Sequence, residues 1–139
     1  NPAGSGKRLA IQKVSLGYVS GTLGSGAIYH CANTSNTVTA PTGGTARTAV
    51  PTDIGGNATA VGSARTGATV VAPTVLRPFC SIFKELATTA NPMQQMTEDV
   101  DGEFVVEPGA CYQIQGVLGD AGTSPVVSLG VSWNEIPVP

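Results

Sequence analysis

Large apolar residues alternate with small or polar ones along much of this chain. The cleanest run is near its end, where Val127, Leu129, Val131 and Trp133 are separated by Ser128, Gly130 and Ser132. A period of two places the two sets on opposite faces of a β-strand. One face is apolar and the other is unusually smooth. Near the start, Leu9 and Ile11 share a phase, and Val14 and Leu16 share the next one. The slip falls at Gln12 and Lys13, which predicts a strand over 8–19 carrying a β-bulge. Glycines between Gly21 and Gly26 lead into a second strand over 27–31, and the two read as a hairpin.

The middle of the chain breaks this rhythm. Residues 33–74 are rich in Thr, Ala, Gly and Asn, with prolines at 41, 51 and 73 and few large apolar side chains. This segment reads as one long excursion with short strands at 45–50, 59–66 and 68–72. Connections of this length are usually functional or poorly ordered. It lacks the apolar residues to fold back on its own core, so a partner surface is expected to order it. Dense apolar content returns at Val75, Leu76, Phe79, Ile82 and Phe83, with Pro78 pointing to an edge strand or a strand start. The stretch from Ser81 to Ala87 also fits a single helical turn. Phe104 and Val106 alternate into the Pro108-Gly109 turn, and Tyr112, Ile114, Gly116 and Leu118 share a phase on the following strand. About eight strands with frequent Gly and Pro punctuation predict an all-β antiparallel sandwich of jelly-roll type, with a single domain over 8–139. The expected core is Leu9, Ile11, Val14, Leu16, Ile28, Phe79, Phe104, Val106, Ile114, Leu129, Val131 and Trp133. Residues 1–7 read as a linker from further sequence upstream.

Composition narrows the function. Charged residues are only 12% of the chain, about half the usual share, so its surface is largely neutral and hydroxyl-rich. Such a surface is easily desolvated against another subunit. The net charge is −2 with no basic stripe, which argues against nucleic acid and anionic membranes. No apolar run reaches the roughly 18 residues needed to span a bilayer. Cys31, Cys80 and Cys111 are odd in number and form no C-x-x-C pair. They read as buried free thiols, with a single disulfide among them left open.

Candidate chemistry is sparse. Gly4-Ser5-Gly6-Lys7 lacks the first glycine of a phosphate loop, where Asn1 stands, and its hydroxyl residue, where Arg8 stands. Gly21, Gly24 and Gly26 lead from strand to strand, whereas a dinucleotide fingerprint leads into a helix. His30 is the single histidine. As strand neighbours, His30 and Cys31 point apart, so a catalytic pair between them is geometrically poor, and a partnership in space with Cys80 or Cys111 is the remaining option. Glu98, Asp99, Asp101 and Glu103 form the one acidic cluster. They read as a solvated turn, because the full calcium-loop pattern is absent. Asn33-Thr34-Ser35 and Asn57-Ala58-Thr59 are glycosylation sequons that matter only in a glycosylating host. No catalytic, cofactor or metal site is expected.

Three stretches carry a resemblance. The lead from Asn1-Pro-Ala-Gly-Ser-Gly-Lys-Arg-Leu9 into a strand, the run Phe104-Val-Val-Glu-Pro-Gly109, and the closing Ser132-Trp-Asn-Glu-Ile-Pro137 resemble virion structural proteins of tailed bacteriophages, of the small β-sandwich kind. The likeness covers both ends and leaves out the middle. It implies a non-enzymatic particle component located in the virion, a homotrimer that decorates the capsid or belongs to a fibre, with itself and major capsid proteins as partners and an upstream segment as anchor. The smooth set Ser128, Gly130 and Ser132 is then the expected oligomer interface. A carbohydrate- or receptor-binding module of a fibre tip is the competing class, and its sign would be an exposed aromatic and acidic pocket.

Overall fold

Two long strands form the spine of the molecule. β1 (Lys7–Thr22) and β9 (Thr123–Pro137) pair antiparallel from Lys7 opposite Pro137 to Tyr18 opposite Val127 and beyond. They belong to a computed structural model that describes all residues except 23, 34–41, 53–54, 57, 71–72, 83–94 and 120–122. The phase slip at Gln12 is a register shift between Ile11 and Lys13. It lets Ile11 and Val14 both face inward. The loop at 100–104 seals the irregularity: the amides of Val100 and Asp101 donate to Gln12 O, that of Gly102 to Ile11 O, and that of Ile11 to Phe104 O.

The remaining strands are β2 (Gly26–Asn33), β3 (Thr45–Arg47), β4 (Ala64–Thr66), β5 (Thr74–Ile82), β6 (Met96–Asp99), β7 (Val105–Val106) and β8 (Cys111–Leu118). The fold is all-β, an antiparallel sandwich with no helix among the described residues. In one sheet β9 pairs one side of β1, and β6 and β7 pair the other. The second sheet runs β5-β2-β8. β5 is at its edge, and Pro78 sits beside a register shift, where a missing amide N–H does least harm. β3 and β4 form a separate two-stranded ribbon.

The core lies between the sheets. Leu9, Ile11, Val14, Val100 and Val106 form one buried cluster, with Phe79, Phe104, Ile114, Val131 and Trp133 packed against it. Leu16, Ile28 and Cys80 form a second. Each fully buried Val, Leu or Ile side chain stabilises by ~1.5–3 kcal/mol relative to exposure.

Several expectations need correction. β1 and β2 are not a hairpin; they lie in opposite sheets, and their short connection crosses the sandwich. Both flanks of β1 are occupied by β9 and by β6 and β7, so β2 takes the facing layer and packs Ile28 on Leu16. Leu129 points to the inner side opposite Leu16 but is 42% exposed, because β9 has β1 as its only described neighbour. Trp133 is half-buried rather than fully enclosed. The buried set also includes Ala10, Cys31, Cys80 and Val100, which the alternation did not single out. Among the described residues of the middle segment, 45–47 and 64–66 are strands and an isolated bridge joins Thr42 to Thr69; of the strand expected at 68–72, residues 71–72 lie outside the described residues. Residues 81–82 complete β5, while 83–87 lie outside the described residues.

Candidate functional site

The polar residues with the most structure around them meet inside the sandwich. On β2, His30 is opposite Arg77 of β5 and Ile114 of β8. Tyr112 lies two residues from Ile114, so it shares that inner face. From the other sheet, Glu98 of β6 is opposite Val14 and also faces in. His30 is completely buried, with 0% exposure. Its Nε2 lies 3.0 Å from Glu98 Oε2, and its Nδ1 bonds with the Tyr112 hydroxyl. An ionised carboxylate only accepts, so Nε2 carries the proton; in the neutral ring Nδ1 then accepts from Tyr112. Arg77 pairs with the second oxygen of Glu98 and donates to Glu103 Oε2 at 2.8 Å. Its guanidinium stands 5.1 Å from the centroid of Phe104.

The electrostatics follow from this geometry. Burial pushes the Glu98 carboxyl upward, but the bonds from His30 and Arg77 outweigh it and hold the group below the ordinary glutamate range. Burial, then the charge of Glu98, pushes the Tyr112 hydroxyl well above the usual phenol range. Tyr112–His30–Glu98 has the connectivity of a nucleophile, base and orienting acid. Activating a nucleophile requires a lowered pKa or an accessible base. Here the phenol is shifted the wrong way and the imidazole meets no solvent. The cluster is suited to tying the sheets together.

A cleft of ≈ 250 Å³ lies beside it, lined among others by Asn33, Leu76, Glu103, Phe104 and Tyr112. Its acidic and phenolic groups are already bonded to Arg77 and His30.

A second polar centre fixes the middle segment. Glu135 Oε1 accepts from the amides of Val61 at 2.6 Å and Gly62 at 2.9 Å, while Oε2 meets Lys7 Nζ at 3.0 Å. Burial raises this carboxyl, and the bonds from Gly62, Lys7, Val61 and Trp133 more than reverse the effect. A Cβ on Gly62 would come within 2.9 Å of Leu9 Cδ1 and 3.0 Å of Trp133 Nε1, so only glycine lets the backbone approach this closely. At 61–62 the middle segment is thus tied to its own sandwich by polar bonds, at a point where a partner surface was expected to order it.

The other residues singled out from sequence are dispersed. Cys31, Cys80 and Cys111 are free thiols. Burial pushes all three up, which disfavours the thiolate. His30 partners Tyr112 and Glu98 instead of a thiol, and Cys31 Sγ contacts Tyr29 O. The acidic cluster is split. Glu98 turns inward, which corrects the solvated-turn reading for that residue. Asp99 pairs with Lys13, Glu103 with Arg77, and Asp101 takes a left-handed turn with φ 51°. Among the described residues no three His, Cys, Asp or Glu side chains converge as metal ligands. Ser5 bonds the carbonyl and amide of Lys7 in the turn into β1. Asn33 is buried, while 34–35 and 57 lie outside the described residues.

Ser128, Gly130 and Ser132 lie on the outer face of β9, in register with Gly17, Ser15 and Lys13. Glu135 carries no sequence motif and Glu98 reads from sequence as part of a solvated turn, yet both turn inward to buried partners.

Comparison with family models, curated proteins and solved structures finds no significant match to this chain.

Proposed function

We propose that this chain is a non-catalytic structural subunit that works by assembling with copies of itself, in the manner of the capsid-decorating or fibre-type virion proteins it resembles. The observation that carries the reading is a bunch of apolar side chains at one end of the β1–β9 pair. Tyr18, Val19, Val126, Val127 and Leu129 are between 37% and 58% exposed. Tyr18 and Val127 are cross-strand partners and Leu129 lies two pairs along on the same face, so these three form one patch, with Val19 and Val126 beside it at the strand end. A chain with 12% charged residues that still exposes such a patch is built for contact with protein. Light scattering tests this directly. A native mass that is a multiple of 14.0 kDa, collapsing to one copy in Val127→Asp, is expected. Co-sedimentation of the chain with virus particles tests the particle assignment; a monomer that never sediments with particles overturns it.

The cleft beside Phe104 and Tyr112 favours a second reading, a small glycan-binding module. It ranks lower because Glu103 and Tyr112 already satisfy Arg77 and His30. Saturable sugar binding lost in Glu103→Gln would promote it.

A further inference from the structure

We infer that the β3–β4 ribbon is an arm that docks on the outer face of the first sheet in a second copy of this chain, its two arginines meeting the acidic rim at Asp99–Glu107. The inference rests on the assembly reading and supplies its geometry.

The ribbon exposes both faces. Thr45, Ala46, Arg47, Arg65 and Thr66 are all exposed. A two-stranded ribbon of three residues a side is marginal in water unless something covers it. Its base is nevertheless fixed to the sandwich, because Glu135 holds the amides of Val61 and Gly62. A short arm with an anchored base loses little further entropy on docking.

Charge identifies the occupant. Lys7, Arg8, Lys13 and Arg77 each pair with a carboxylate. Among the described residues, Arg47 and Arg65 are the side-chain cations that have none. Arg47 bonds Thr66 Oγ1 and Arg65 bonds Gly43 O, both within the ribbon. The rim has the opposite imbalance. Glu98 faces inward, and of the four surface carboxylates Asp99, Asp101, Glu103 and Glu107, three meet the cations Lys13, Arg77 and Arg8, with Arg77 shared with Glu98. Asp99, Glu103 and Glu107 are 64%, 57% and 54% exposed, and such solvent-screened surface pairs hold each other weakly, so they accept a new partner readily.

The surface between is smooth enough to take a ribbon. Asp99, Lys13 and Ser132 are in register across β6, β1 and β9, so the rim borders the small outward residues Ser15, Gly17, Ser128 and Gly130. Donor and acceptor surfaces differ, so the contact is head-to-tail, and such contacts form closed rings when the rotation closes.

The test uses the full chain. Wild type is expected to scatter light as an oligomer. Arg47→Glu with Arg65→Glu is expected to run as a single 14.0 kDa copy with unchanged circular dichroism, since both side chains are exposed. In the Arg47→Lys, Arg65→Lys variant, mixed as isotopically light and heavy chains, carbodiimide is expected to link 47 and 65 to residues 99–107 of another copy. A wild-type monomer overturns both this inference and the assembly reading. An oligomer that keeps its mass in the Glu variant, or cross-links confined to one copy, overturns this inference alone.

Discussion

The Nε2 of His30 and the Oε2 of Glu98 lie 3.0 Å apart and join β2 of one sheet to β6 of the other. With the Arg77–Glu98 pair beside it, it forms a polar link between layers whose core contact is otherwise apolar. It is also directional, so it fixes how the sheets are set against each other. Removing the imbalance it satisfies exposes what it contributes. His30→Ala leaves Glu98 and Tyr112 short of a partner and opens a cavity where nothing is exposed. The expected loss is roughly 3 kcal/mol. Tyr112→Phe deletes one hydroxyl bond and is expected to cost about 1 kcal/mol. Urea unfolding monitored by Trp133 fluorescence measures both, and equal midpoints for wild type and His30→Ala would remove the cluster from the account of the fold.

Acid should destabilise the protein through two carboxylates. Glu98 and Glu135 both have folded pKa values below the ordinary 4.5. Their contribution is complete above that value, where both are ionised folded or unfolded. As pH falls below about 4.5 the unfolded chain takes up protons first, and stability is lost until the lower folded values are passed. Urea midpoints are therefore expected to be flat near neutrality and to drop in that window. Glu98→Gln with Glu135→Gln should be less stable at pH 7 and flatter in acid. An acid limb as steep as that of wild type would assign the effect to other groups.

Much of the scaffold was legible because its signals are local. Leu9, Ile11, Val14 and Leu16 announce both a strand and its bulge, and Val131 and Trp133 announce the closing strand. What strand pairs with what is not local. The short link from β1 to β2 fits a hairpin or a crossing between sheets equally well, and the choice is made by β9, more than a hundred residues away. The polar cluster had the same difficulty, since His30 and Glu98 are separated by 68 residues. One sign was available. Glu135 is in phase with Trp133 and Val131, and Glu98 with Val100, so each acid sits on an apolar face and must have a buried partner.

The base of the ribbon depends on Gly62. A methyl group there would push against Leu9 Cδ1 at 2.9 Å and the Trp133 ring at 3.0–3.2 Å. Gly62→Ala is expected to cost about 1–3 kcal/mol through this overpacking. Glu135→Ala releases the same segment by removing its acceptor. Limited proteolysis should then cut within 42–69 in both variants sooner than in wild type. Cleavage at the wild-type rate would mean that the 61–62 contacts do not hold the arm.

The smooth outer face offers a sharper probe than its most obvious residue. At Gly130 a Cβ would lie 2.6 Å from Ser15 Oγ, so Gly130→Arg perturbs the sheet as well as any contact above it. Ser15 can rotate away, which keeps the expected stability loss near 1–2 kcal/mol. Gly17, opposite Ser128, has nothing within 4 Å of a built Cβ. Gly17→Arg is therefore expected to leave the unfolding midpoint within about 0.5 kcal/mol of wild type, as exposed substitutions do. The same change places a long cation in the middle of the surface formed by Ser15, Ser128, Gly130 and Ser132. If that surface is the contact between copies, Gly17→Arg and Gly130→Arg both lower the mass measured by light scattering, and only Gly130→Arg also lowers the melting temperature. An unaltered mass in Gly17→Arg would free this face of any role in assembly.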